Sequence, residues 1–150
     1  MVSINLKCTL FAPPEKVAAI LLEHACLGRF FNAQFSQLKP HNKGEMKGGA
    51  GAIRQVKTPL VAFNEQIIHA SSNHICYRIM GDKPVENHQG DIYLTPIEYE
   101  GNTATALRYC IAFRPPWWMP DSLIKLLVKH DISQALKKLQ HYFKRAQHDH

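Results

Sequence analysis

Residues 120–145 read PDSLIKLLVKHDISQALKKLQHYFKR, and their apolar members Ile124, Val128, Ile132, Ala135, Leu136, Leu139, Tyr142 and Phe143 recur at spacings of three and four. With about 3.6 residues per turn, that spacing places all of them in one stripe along a helix. Lys129, Ser133, Lys137, Gln140, His141 and Lys144 fall on the opposite side. The segment is therefore predicted to be one amphipathic helix of roughly seven turns. Burying a large apolar side chain contributes ~1.5–3 kcal/mol, so a stripe of this length makes the helix integral to the fold. Leu123, Leu126 and Leu127 depart from the stripe. The first two turns are thus apolar nearly all round and call for a second apolar neighbour.

Ahead of the helix the chain reads as strands. Ile4, Leu6, Cys8 and Leu10 alternate with Asn5, Lys7 and Thr9, the period of a half-buried strand. Ala12-Pro13-Pro14-Glu15 then stops the strand and starts a short helix, with proline in the first turn and an acid near the positive end of the helix dipole. Val17, Ile20, Leu21 and His24 form its face. Gly28 separates it from a second short helix or turn carrying Leu27, Phe30 and Phe31. Strands follow at 33–38, 52–57, 62–69, 75–80, 88–95 and 103–113, bounded by turn signals such as Ser71-Ser72-Asn73, Gly81-Asp82-Lys83-Pro84 and Glu100-Gly101-Asn102. Short polar turns between consecutive strands imply an antiparallel meander. The segment 39–51 holds four of the eight glycines and reads as a mobile loop; no Gly-Lys-Ser/Thr closes it, so it is not a phosphate-binding loop.

A chain of 150 residues with 45% hydrophobic content and no composition shift suits one domain spanning residues 1–150. No basic leader precedes an apolar run, and no run reaches the ~18–20 residues that cross a bilayer, so a soluble, cytoplasmic protein is expected. Cys8, Cys26, Cys76 and Cys110 are scattered without a Cys-x-x-Cys pair and read as free thiols. Nine histidines lack a metal-ligand spacing; the tail His148-Asp149-His150 is at most a weak scavenger, and neither a metal nor a cofactor is expected. Half of the +6 formal charge lies in the last helix, which without a nucleic-acid motif reads as a solvated face.

The order strand, two short helices, six antiparallel strands and long helix resembles the START-like (SRPBCC, Bet v 1-like) superfamily, in its polyketide cyclase/dehydrase-like branch. Ala12–Val17 is similar to its turn after the first strand. Phe63–Ile67, Ile75–Ile79 and Gly90–Pro96 resemble three of its strands, and Phe113-Arg114-Pro115-Pro116 the ending before its last helix. The resemblance implies an α+β helix-grip fold, a seven-stranded curved antiparallel sheet wrapped around the C-terminal helix. It also implies a cavity between sheet and helix for a lipid, polyketide or other apolar molecule. The iron–sulfur ligand pattern of the ring-hydroxylating oxygenases is missing.

On that reading Phe63, Ile67, Tyr77, Ile92, Tyr109, Phe113, Trp117, Leu123 and Leu127 line the ligand's wall. Strand alternation sends Arg78, Arg108 and Arg114 to the outer face. Glu65, His69, Tyr77 and Tyr109 are the inward polar groups that acid–base chemistry could use, though Glu65 has a plainer role in pairing with Arg54. Binding a small hydrophobic molecule is the leading function; a cyclase or dehydratase working in the same cavity is the alternative, and a protein-interaction or toxin-like module the third. Pro115-Pro116-Trp117-Trp118-Met119-Pro120 gates the cavity, touches a membrane surface transiently, or caps the core. One tryptophan is expected inside and one outside. No oligomer is required.

Overall fold

The computed structural model describes residues 1–148, with side chains through Lys144. Strand β1 (Val2–Leu10) leads to helix α1 (Pro14–Leu21) and a short 3-10 helix (His24–Arg29). Strands β2 (Gln34–Lys39), β3 (Ile53–Lys57), β4 (Ala62–Ala70), β5 (His74–Ile79), β6 (Glu86–Tyr99) and β7 (Asn102–Arg114) follow, then α2 (Asp121–His148). The strands form one antiparallel sheet in the order β1-β7-β6-β5-β4-β3-β2. This is the α+β helix-grip architecture that the family resemblance implied. The scavenging role read for the His148–His150 tail falls outside the residues whose side chains are described.

Alternation decides the faces. Leu107, Tyr109, Ile111 and Phe113 of β7, Ile92 and Leu94 of β6, and Ile75, Tyr77 and Ile79 of β5 are buried on the inner face. Arg78, Arg108 and Arg114 are exposed, as their parity requires. The helix runs in the same direction as β1: Asp121 lies 3.6 Å from the amino group of Met1, and Gln140 Nε2 donates to the Thr9 carbonyl at 3.2 Å near the strand's other end. Ile132, Ala135, Leu136, Leu139 and Phe143 are buried against the sheet, whereas Ile124 and Val128 are only half-buried. The stripe therefore grips through its C-terminal half. No helix among the described residues is long and apolar enough to cross a membrane.

The glycine-rich segment differs from its reading as a mobile loop. Gly48, Gly49, Gly51 and Ala52 are buried, and backbone bonds run from Asn42 N–H to Ala50 O and from Gly51 N–H to Ile67 O. Gly48, at φ +74°, lies so close to Leu22 that a Cβ would sit 2.2 Å from its carbonyl oxygen. Glycine serves here for close approach, a role that composition does not distinguish from flexibility.

Truncating the buried Leu139 to alanine is expected to cost about 2–5 kcal/mol. Leu126→Ala, at a residue 66% exposed, should stay within about 0.5 kcal/mol of the parent. Urea unfolding of the two variants checks the contrast.

Candidate functional site

Apart from Thr105, which bonds to the Ala12 carbonyl, the buried polar side chains on the inner face of the sheet form one group. Arg54 of β3 pairs in register with Glu65 of β4, which pairs with Ile79 of β5. Arg54 follows Ala52 and precedes Val56 at inward positions, so its guanidinium enters the interior. Its Nε and Nη2 both donate to Glu65 Oε1, at 2.9 and 2.8 Å. The guanidinium carbon lies 5.0 Å from the Tyr77 ring centroid and 5.6 Å from that of Phe35. A charge taken out of water needs a partner, and Glu65 supplies it. Burial is the largest influence and would lower the Arg54 pKa, but the Glu65 carboxylate, Tyr77 and Tyr109 together outweigh it and raise the value above the ordinary one.

His24, 1% exposed, extends the group to the 3-10 helix. Arg54 Nη1 lies 3.2 Å from His24 Nδ1; arginine can only donate, so Nδ1 accepts. The proton then sits on Nε2, which donates to the Gly48 carbonyl at 2.8 Å. Burial, with the Arg54 charge acting in the same sense, lowers the His24 pKa to about 4. The imidazole is neutral near pH 7 and joins the buried arginine to the glycine-rich segment.

One strand further along, the Tyr77 hydroxyl meets the Tyr109 hydroxyl in a short hydrogen bond. Gly90 makes room for this: a Cβ there would fall 2.3 Å from Tyr77 Cζ, so only glycine lets the ring lie across β6. Burial raises both phenols above their ordinary range and keeps them protonated. His88 packs on Tyr77 and Phe113, with centroids 5.5 and 6.4 Å away, and its Nδ1 accepts from Ile79 N–H at 3.2 Å. Burial lowers its pKa, Arg54 adding to the effect and Glu65 opposing it.

Among the expected wall residues, Ile67, Tyr77, Ile92, Tyr109 and Phe113 are gathered here at 1–4% exposure, with Phe63 partly buried against the same core. Trp117, Leu123 and Leu127 are elsewhere, at 96%, 47% and 53% exposure. The expectation of one tryptophan inside fails as well, since Trp118 is 63% exposed. Met119 N–H bonds to Pro116 O at 3.0 Å, so both indoles occupy the corners of a tight turn and project outward. His69 is not inward either: the register shift between Ile67 and His69 adds one residue, turning Ala70 into the core and His69 to the outer face.

Arg54 was legible as a partner for Glu65; His24 and His88 as members of the group were not. His88 shares the parity of Gly90, Ile92 and Leu94, which could have placed it. His24 is brought to Arg54 across thirty positions by tertiary packing alone. A separate cleft of about 690 Å³ lies at the far end, lined by Phe11, Ala12, Pro13, Lys16, Ile20, Tyr142 and Phe143 among others, and by none of the expected wall residues. Among the described residues, no group of three or more His, Cys, Asp or Glu side chains could hold a metal ion.

Two outcomes test this network. Arg54→Met leaves Glu65 buried without its partner and should cost about 3–5 kcal/mol, whereas Arg54→Met with Glu65→Leu should recover most of that in guanidinium unfolding. The lowered His24 pKa means the unfolded chain takes up the proton first as pH falls. Its contribution is complete above about pH 6.5 and is lost as pH drops towards about 4, by on the order of 3 kcal/mol at most. His24→Gln should unfold with a correspondingly flatter pH dependence.

The comparisons agree with this architecture. The family model described as "Polyketide cyclase / dehydrase and lipid transport" matches residues 1–144. The START superfamily protein from Mycobacterium smegmatis superposes with a TM-score of 0.79 at 11% identity, over 96% of this chain and 98% of the other. The protein XoxI from Bacillus cereus gives 0.73 at 20% identity, over 98% and 99%. The di-domain ARO/CYC BexL from the BE-7585A biosynthetic pathway gives 0.70 at 15% identity, over 94% of this chain and 46% of that one. At these identities the structural likeness concerns the fold alone. No curated protein matches the sequence. With the match running over nearly its whole length, the chain belongs to the polyketide cyclase/dehydrase and lipid transport family.

Proposed function

We propose that this protein binds a small hydrophobic molecule between the inner face of its sheet and α2. The observation that carries the reading is the Tyr77–Tyr109 hydroxyl pair, set on an apolar wall of Ile67, Ile92 and Phe113. An apolar wall with a few converging polar groups is the usual make-up of a small-molecule site. The pair is not needed to satisfy the Arg54–Glu65 ion pair, which already meets its own charge balance. Either hydroxyl can turn from its neighbour to a carbonyl or hydroxyl oxygen of a ligand, while the wall takes the hydrocarbon part. Access is read at the N-terminal half of α2, where the stripe residues Ile124 and Val128 are only half-buried.

Catalysis in the same place is the second reading, and one observation favours it. Two phenols held protonated beside a guanidinium are donors for an oxygen that gains negative charge, as in enolate formation during cyclisation or dehydration. Glu65 would then act as the base, and the two guanidinium bonds to its Oε1 weigh against that. Unchanged turnover in Glu65→Gln would remove it from the reaction.

Denaturing mass spectrometry of an organic extract from gently purified protein is the test of binding. An apolar molecule at near-stoichiometric amount is expected. Tyr109→Phe should weaken rebinding of a ligand with a polar oxygen by about fivefold, the worth of one neutral hydrogen bond. If the extract is empty and a fatty acid, a sterol and an aromatic polyketide all fail to bind, the reading is wrong.

A further inference from the structure

Nine of the twelve exposed large apolar side chains among the described residues lie at one end of the molecule. The register defines that end. Val2 of β1 opposes Phe113 of β7, Glu86 of β6 opposes Arg114, and Lys57 and Ala62 close the β3–β4 turn. Met1, Leu60, Val61, Met80, Trp117 and Trp118 therefore sit around the same rim, and α2 begins there beside Met1 with Leu123, Leu126 and Leu127 in its first two turns. Single exposed apolar residues are ordinary, whereas a gathered set marks a surface that meets something.

Two of the protruding tips are held from within. Trp117 and Trp118 are the corners of the Pro116–Met119 turn, and Leu60, 95% exposed, is carried on a turn in which Thr58 Oγ1 accepts from Leu60 N–H and Val61 N–H at 3.3 and 3.0 Å. The rim is also basic. Lys57, Lys83, Lys125 and Lys129 are exposed there, while Asp121 lies against the Met1 amino group and Glu86 lies 3.9 Å from Arg114. Asp82 and Asp131 are the acids left to oppose four lysines among the described residues of this region.

We propose that this end docks on an anionic lipid bilayer surface, with Trp117, Trp118 and Leu60 entering the interfacial layer and the lysines meeting the head groups. Indole suits a boundary that is apolar on one side and wet on the other, and lysine keeps its ammonium in water while its stem lies along apolar surface. A second copy fits poorly: a two-fold interface would set this basic rim against itself.

The two rim tryptophans are the chain's only ones, so their fluorescence reports on this surface directly. The full chain is titrated with vesicles of phosphatidylcholine alone and of equal parts phosphatidylcholine and phosphatidylglycerol, the latter also with brominated acyl chains. A blue shift with the anionic vesicles, quenched by bromine and weakened by salt, is expected. Lys125→Gln with Lys129→Gln should lower the partition coefficient roughly 25-fold, about fivefold per lysine. Leu60→Ser should weaken partitioning with circular dichroism unchanged, since the residue is exposed. No shift or quenching with anionic vesicles would overturn the proposal. So would a blue shift that needs only higher protein concentration, which signals a second copy, or one that appears only with an acidic protein.

Discussion

A sheet with one apolar face must be covered, and in this chain a single helix provides most of the cover. The stripe from Ile132 to Phe143 meets side chains contributed by separate strands of the meander, so neither partner keeps its apolar surface out of water alone. The contacts join the last part of the chain to all that precedes it. Helix α1 is tied in separately: buried Thr105 of β7 donates from Oγ1 to the Ala12 carbonyl at 2.7 Å, holding the turn between β1 and α1 against the sheet.

Within that covered face the polar group obeys a stricter rule, because a buried ion or dipole without a partner is costly. Each member answers the next: Glu65 takes the Arg54 charge, Arg54 sets the tautomer of His24, and His24 takes up the Gly48 carbonyl. Among the described residues no buried side-chain nitrogen or oxygen lacks a hydrogen-bond partner. The chain of bonds also explains why a glycine-rich segment is packed: its carbonyl is part of the core's hydrogen bonding.

The helix divides the molecule into two unlike ends. At its C-terminal half, Tyr142 meets Phe30 edge-on at 5.6 Å and Gln140 bonds to β1, while the stripe residues Ile132, Ala135, Leu136, Leu139 and Phe143 are buried. At its N-terminal half the leucines off the stripe are left in solvent, next to the indoles of the preceding turn. Among the described residues nothing supplies the second apolar neighbour that those leucines call for. The tight face and the open rim thus arise from one helix whose stripe is narrow where it meets the sheet and broad where it does not.

Local patterns determined much of this. Alternation of period two and a stripe of period 3.6 are properties of neighbouring residues, so strand number, the long helix and the faces of β5, β6 and β7 were legible, as was the Arg54–Glu65 pair from adjacent strands. Parity holds only while pairing is regular, which is why the bulge after Ile67 carried His69 to the other face. The direction of Trp117 and Trp118 depended on a turn that their composition did not specify. The contact of His24 with Arg54 depended on how the 3-10 helix is laid over the sheet edge, because a buried polar group finds its partner through the folded chain's three-dimensional neighbourhood and not through spacing along it.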